Sequence, residues 1–481
     1  MSHFNPGWLA RSPSRRYKSQ IEAILEAALD AVDPVNAVKR HMRVEGDALV
    51  VGEQRYDLGG GSGSGSESHG SGSGRPRRVF VVGAGKASGA MARAVEELLG
   101  DRVTAGVVNV KYGYTAETRR IELIEAGHPL PDENSIAGAR RMAALLRTVT
   151  ADDLVIGLIS GGGSALLILP AEGITLADME QFTDVLLRSG ATINELNTVR
   201  KHLDLVKGGG LARLAFPATF VALVLSDVVG NPLDVIASGP TVPDTTTFAE
   251  AWAVLERYGI VDDVPRPIAD RLRRGTAGQI PDTPKPGDPL FANVATLIVA
   301  SNAVAAQAAV ATAQALGYHA LLLSTYIEGE AREVAKVAAA IAKEVVHSGR
   351  PLAPPACLVA GGETTVTVRG SGKGGRNQEV ALAAALALDG WSNVAIVALA
   401  TDGGDGPTDA AGALVDGTTV QRGRLQGLEA RDFLDRNDAY PFLRAVGDLL
   451  ITGPTNTNVN DLLFVFGFSN VPTASVRSPT G

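Results

Sequence analysis

Apolar runs recur along the chain at residues 79–82, 105–110, 154–159, 220–225, 295–300, 319–323, 357–360 and 394–400, each rich in Val, Ile and Leu. Most are followed by Gly or Ser and then by an alanine-rich stretch of helical period. Short apolar runs alternating with helical stretches predict βαβ units built around mostly parallel sheets. Ahead of them, residues 20–31 place apolar side chains three and four apart, which predicts an amphipathic helix. Two breaks interrupt this rhythm. Residues 59–74 are Gly and Ser except for Glu67 and His69, a flexible insertion that cannot bury a core and reads as a lengthened hairpin loop. Between residues 262 and 292 the prolines gather, at 265, 267, 281, 284, 286 and 289, and there a domain boundary is expected. The pattern predicts an α/β protein of two doubly wound, mostly parallel-sheet (Rossmann-like) domains, 17–262 and 290–468, with a cleft between them.

Composition narrows the function. A chain of 481 residues exceeds the usual single domain, and 45% hydrophobic residues suffice for real cores. A net charge of −8 argues against a nucleic-acid surface, which needs a basic face. One cysteine, Cys357, excludes an internal disulfide and a multi-cysteine zinc site, and its apolar surroundings predict a buried strand thiol. The uncharged apolar stretch 154–170 is broken by Ser160-Gly161-Gly162-Gly163-Ser164, so no membrane span is expected. The first 20 residues lack acids and carry Arg11, Arg15, Arg16 and Lys18. They have the charge of an organelle transit peptide without its apolar helical face, and a cytoplasmic location is expected.

Several segments carry chemistry. Gly83-Ala84-Gly85-Lys86-Ala87-Ser88-Gly89 follows a predicted strand and opens a helix, where backbone N–H groups can approach an anion. A P-loop would need glycine at 80 and Ser or Thr after the lysine, whereas Phe80 and Ala87 stand there. A dinucleotide fingerprint would need an acid at the end of the next strand, and residues 106–112 supply none. Lys86 tips the segment toward phosphoryl transfer, which uses a fixed cation. The three glycines 161–163 after the apolar run 154–159 favour close contact with phosphate or carboxylate, since a tight turn needs only one. Ser164 lacks the flanking pattern of a nucleophile.

A helix is expected over 194–207, placing Arg200 and Lys207 seven apart on one face, as anion contacts or as complements to the helix dipole. Asp227, directly after the apolar run 220–225, could accept a hydroxyl proton or hold Mg2+ through water, and equally could cap the next turn. Arg376 follows the glycine-rich segment 370–375 at a helix start, where a guanidinium suits a transferring phosphoryl group. Asp402, Asp405 and Asp409 sit among glycines in one loop, which reads as cation- or phosphate-proximal or as solvated acids. His128, alone before Pro129, reads mainly as structural.

Taken in order, the segments 83–89, 127–135, 160–166, 197–211, 226–241, 361–379, 402–411 and 452–461 resemble those of the class II glycerate kinases, whose C-terminal part is called the MOFRL domain. The resemblance runs from about residue 17 to 468; the insertion at 59–74 and the tail beyond 468 depart from it without touching a motif. It implies ATP-dependent phosphorylation of D-glycerate at its 2-hydroxyl, a site in the cleft between domains, and Lys86 and Arg376 as the catalytic cations. Mg2+ would bridge the ATP phosphates, and Asp227 or Asp405 would orient the hydroxyl or the metal. The nucleotide and substrate anions are expected at Gly83, Gly85, Ser160, Gly161, Gly162, Gly163, Ser164, Lys207 and Asp405. Homo-oligomerisation is left open. The alternative is an NAD(P)H-dependent hydroxypyruvate reductase, a label that related sequences have carried; the missing ribose acid and the fixed cations speak against it.

Overall fold

The computed structural model describes residues 3–4, 13–59 and 77–469, so the Gly/Ser insertion lies outside them but for Gly59. The described chain forms two compact units, one of residues 33–301 with 456–458, the other of 13–32, 302–455 and 459–469. The division falls at Ser301/Asn302 and not in the proline-rich stretch. Two observations explain the displacement. The strand after the prolines joins the first sheet, and the helix Lys18–Ala31 packs on the helix Asn302–Ala315 of the second unit.

The first unit opens with an antiparallel meander of β1 (Met42–Glu45), β2 (Ala48–Val51) and β3 (Gln54–Asp57). Its main sheet contains β4 (Val79–Ala84), β5 (Val103–Lys111), β6 (Ile121–Ala126), β7 (Leu154–Ile159), β8 (Thr219–Leu225) and β9 (Val294–Ala300), in the order β6-β5-β4-β7-β8-β9. All five pairings are parallel. Every residue of the central strands β4 and β7 is buried, which is why their sequence shows continuous apolar runs and no alternation.

A helical layer with its own core adjoins this sheet, formed by Leu176–Ser189, Ile193–Leu203, Phe248–Tyr258 and Arg266–Thr276. The first three each begin on a reciprocal cap, Thr175/Asp178, Thr192/Glu195 and Thr247/Glu250. Phe182, Leu186, Val199, Leu203, Leu255 and Leu272 are fully buried there, each contributing roughly 1.5–3 kcal/mol of transfer free energy.

In the second unit the sheet order is β10-β11-β15-β12-β13-β14, built from β10 (His319–Glu330), β11 (Ala356–Thr365), β12 (Val394–Ala400), β13 (Gly412–Asp416), β14 (Leu449–Leu450) and β15 (Asp461–Gly467). Only β10 and β11 pair in parallel; the other four pairings are antiparallel. The α/β class stands, and the expectation of a mostly parallel sheet is corrected for this unit. For β12 and β13 the cause is connectivity: residues 401–411 return the chain without a crossover helix, and a connection that short permits only an antiparallel neighbour. Cys357 is buried in β11 and burial pushes its thiol pKa up.

Candidate active site

In the first sheet the strand order reverses between β4 and β7, and in open α/β sheets the crevice outside the strand carboxyl ends at such a reversal is where ligands bind. The loops after β4 and β7 are the two glycine-rich segments singled out in the sequence. They are packed on each other. The Lys86 N–H donates to the Gly161 carbonyl at 2.8 Å. Ser160 is fully buried, and its hydroxyl accepts from the Ala87 N–H at 3.0 Å and bonds to the Ser88 hydroxyl at 2.9 Å. The Ser88 hydroxyl in turn donates to the Leu158 carbonyl at 3.1 Å. A Cβ on Gly83 would overlap Leu158, and one on Gly85 would overlap Ser160. Close packing therefore accounts for Gly83 and Gly85 without a ligand, and the Ser160 hydroxyl is fully used within the protein.

The glycines 161–163 have different neighbours. A Cβ on Gly161 would overlap the Asp227 carboxylate, and one on Gly163 would meet Ala237. Gly162 has φ +82°, and a Cβ there would lie 2.9 Å from His128 Nε2 and 3.5 Å from Lys86 Cγ. The loop thus gathers Lys86, His128 and Asp227, three half-buried polar side chains from three strand ends. Asp227 accepts from Asn458 Nδ2 at 3.4 Å. Burial, reinforced by Lys86 and Lys111, lowers the His128 pKa to about 4, so the ring is neutral at ordinary pH and can both donate and accept. Beside them, Ser164 donates to Ser238 at 2.8 Å and Ser238 donates to Asn197 at 3.4 Å. Ser238 and the preceding Ala237 hold φ of +61° and +50°, strained backbone of the kind that clusters at functional sites.

Lys207 does not share a helix face with Arg200. The helix stops at Leu203, because the Asp204 carboxylate accepts the N–H groups of Leu169 at 3.1 Å and Val206 at 2.9 Å and draws the chain out of helical geometry. Lys207 is buried and its ammonium donates to the carbonyls of Ser164 (2.8 Å) and Leu167 (3.0 Å). Burial lowers its pKa to about 8. It braces the short helix Gly163–Leu166 that follows the glycine loop.

The second unit places Arg376 at the first position of the helix Arg376–Leu388. The guanidinium forms a bidentate pair with Asp461 (Nε 2.5 Å, Nη2 3.1 Å) and reaches Glu363 at 2.6 Å. Burial opposes the charge, but the Asp461 hydrogen bond prevails and raises the Arg376 pKa; burial pushes that of Asp461 up to about 6, against the pull of Arg376.

The loop of three aspartates does not converge. Asp405 is buried and caps the same helix, accepting the N–H of Asn377 at 3.1 Å and of Gln378 at 2.8 Å. Asp402 accepts from Gly404 N–H and Asp409 from the Tyr440 hydroxyl. Among the described residues no group of three or more His, Cys, Asp or Glu could hold a metal ion. The reading of 402–409 as a cation loop is thereby corrected: Asp405 already occupies the helix N-terminus that a phosphate would seek. Asn197, Ser238, Asn458, Asp461 and Glu363 were not singled out in the sequence. Only Ser238, in a run of small residues before Pro240, carried a local signal.

Comparisons with known proteins agree across both units. The family model described as "Domain of unknown function (DUF4147)" matches residues 20–273, and that of the MOFRL family matches 356–461. A Pyrococcus horikoshii protein named Glycerate 2-kinase is 45% identical over 91% of this chain and 94% of its own. An Agrobacterium vitis protein named Putative hydroxypyruvate reductase is 47% identical over 81% of this chain and 87% of its own. The crystal structure of a glycerate kinase from Thermotoga maritima superimposes with a TM-score of 0.82 at 41% identity, covering 94% of this chain and all of that one.

Proposed function

The chain belongs to the glycerate 2-kinase family that joins a DUF4147 domain to a MOFRL domain, and from that membership we propose that it transfers the γ-phosphoryl group of ATP to the 2-hydroxyl of D-glycerate. The observation that carries this reading is the 45% identity to a glycerate 2-kinase over 91% of the chain. Products are 2-phosphoglycerate and ADP. As the hydroxyl oxygen bonds to phosphorus, the β–γ bridging oxygen leaves with its electron pair and the hydroxyl proton passes to a carboxylate.

Each residue is assigned a role. Lys86 offsets charge on the phosphoryl oxygens, and Arg376 does the same with its guanidinium. Asp227 takes the hydroxyl proton. It is favoured over Asp405 because the Asp405 oxygens are held by backbone N–H groups. The backbone at Gly161, Gly162 and Gly163 and the Ser164 hydroxyl meet substrate oxygens, and neutral His128 donates or accepts beside them. Lys207, Ser160, Gly83 and Gly85 position that loop without touching substrate. Mg2+ fits this donor set, since it is ordinarily held by one or two carboxylates plus phosphate oxygens. Asp227 would hold it through water, and it would offset phosphate charge. Among the described residues no helix is long and apolar enough to cross a membrane, and the reading places the enzyme in the cytoplasm.

The reductase alternative loses ground at β5, which ends at Lys111 followed by Tyr112 and Gly113. No acid stands there to hold an adenine ribose. The test is a coupled assay with ATP, Mg2+ and D-glycerate, reading the product with enolase alone. An enolase signal establishes 2-phosphoglycerate. ADP without that signal moves the phosphate to another hydroxyl, and NADH consumption on hydroxypyruvate without ADP overturns the reading.

A further inference from the structure

The first unit holds a second concentration of cations that the proposed chemistry does not use. A cavity of 140 Å³ opens among Lys201, Lys207, Arg213 and Arg271, with Asp204 the one carboxylate on its wall. Behind the wall, Asp244 lies 3.4 Å from Lys201, and Asp282 lies 3.0 Å from His202 Nε2. These acids answer Lys201 and His202. The other three cations are answered differently. Among the described residues, none of Lys207, Arg213 and Arg271 has a carboxylate within ion-pair distance; each donates to backbone carbonyls instead. Arg213 reaches the Asp282 carbonyl at 2.7 Å and Arg271 the His202 carbonyl at 2.7 Å.

A carbonyl satisfies a donor but leaves the charge unbalanced, and desolvated cations are costly without an anion. Asp204 offsets part of the charge on Lys207 and Arg271, and Asp282 and Asp288 part of that on Arg213, all from beyond ion-pair distance; one wall carboxylate against four cations still leaves an excess of positive charge. A single water needs about 10–15 Å³ of such space, so the cavity has room for a tetrahedral oxyanion. Guanidinium groups at the rim and half-way in suit its oxygens. Arg213 is exposed, Arg271 half-buried and Lys207 buried, so the cations grade from mouth to floor.

We propose that this cavity is an anion site separate from the one that carries Lys86, taking a phosphate-type dianion, either free or as a phosphomonoester. The inference does not depend on the phosphotransferase reading. Because Lys207 also braces the carbonyls of Ser164 and Leu167, an occupant would stabilise the floor of the glycine loop.

The test uses the full chain and isothermal titration with inorganic phosphate and with methyl phosphate, against chloride at matched ionic strength. Lys86→Met removes the cation of the first site; phosphate binding is expected to survive it. Arg271→Met and Arg213→Gln are expected to weaken phosphate about tenfold each. Should Arg271→Met not fold, Arg213→Gln on the rim decides alone. Methyl phosphate binding as tightly as phosphate identifies an ester site, and phosphate alone identifies the free ion. No phosphate binding by the unaltered protein overturns the proposal, as does binding that Lys86→Met abolishes or that both arginine variants leave unchanged.

Discussion

The two glycine-rich junctions that open a helix, one at Lys86 and one at Arg376, are built alike but filled by groups of different charge. In each, glycine is required because a cap from another loop lies against it: Ser160 against Gly85, and Asp405 against Gly375. Ser160 accepts the N–H of Ala87, the residue just before its helix, and Asp405 accepts the helical N–H groups of Asn377 and Gln378. The first cap is a hydroxyl, so Lys86 adds to a positive helix terminus. The second is a buried carboxylate, and Arg376 is held by two more, Asp461 and Glu363. A glycine-rich loop before a helix therefore does not identify an anion site by itself. The charge of the group that fills it decides, and by that measure the first junction is the better seat for phosphate.

The largest effects should separate the two cations. Lys86→Met is expected to lower kcat by about 10³ or more. Arg376→Met should lower kcat on a similar scale but also destabilise by ~2 kcal/mol, because the buried Asp461 is left without its partner; the figure is discounted for the partial exposure of Arg376. Steady-state kinetics paired with thermal denaturation reads both quantities. An Arg376 variant as stable as the parent would remove the structural part of its role.

Next come the carboxylates. Asp227→Asn should cost about 10² in kcat as the loss of a general base, whereas Asp405→Asn should change kcat less than about threefold and cost about 1 kcal/mol as a weakened cap. Single-turnover measurements decide, since they isolate the chemical step. A hundredfold loss in Asp405→Asn would return Asp405 to the reacting centre.

A smaller effect follows from Asp461, whose pKa burial raises to about 6 against an ordinary carboxylate value near 4. Between those values the native state keeps a proton that the unfolded chain has released. Stability therefore falls as pH rises through about 4 to 6, on the order of 2 kcal/mol. Asp461→Asn should flatten that slope. Asp448, also raised to about 6 by burial and held by Arg422, remains as an internal reference, so some slope persists. Identical slopes in parent and variant would remove Asp461 as the source.

The contrast also shows what a sequence can disclose. The parallel sheet was legible because β4 and β7 are buried on both faces and read as unbroken apolar runs. The mixed sheet was not, because β12 and β11 look the same whether their neighbours run parallel or antiparallel. The places of Lys86 and Asp227 after strands and of Arg376 at a helix start were legible, while their roles rest on the proposal. Asp461 and Asn458 lie 85 and 231 residues from the side chains they hold, and no local pattern carries such a pairing. The helix end at Leu203 was hidden for a related reason. Asp204 caps backbone on Leu169, 35 residues away, and so interrupts a periodicity that continues through Val206.

The finest test concerns the neutral cap. Ser160→Ala leaves the Ala87 N–H without its acceptor inside a buried loop, which should cost about 1 kcal/mol. Because a hydroxyl does not titrate in the working range, that cost should be the same from pH 5 to 8. The substitution changes no charge at the junction, so kcat should change little. The measurement is a denaturant midpoint at several pH values beside kcat for the same preparations. If Ser160→Ala left stability untouched and lowered kcat a hundredfold, Ser160 would face substrate, and the first junction would owe its glycines to the ligand after all.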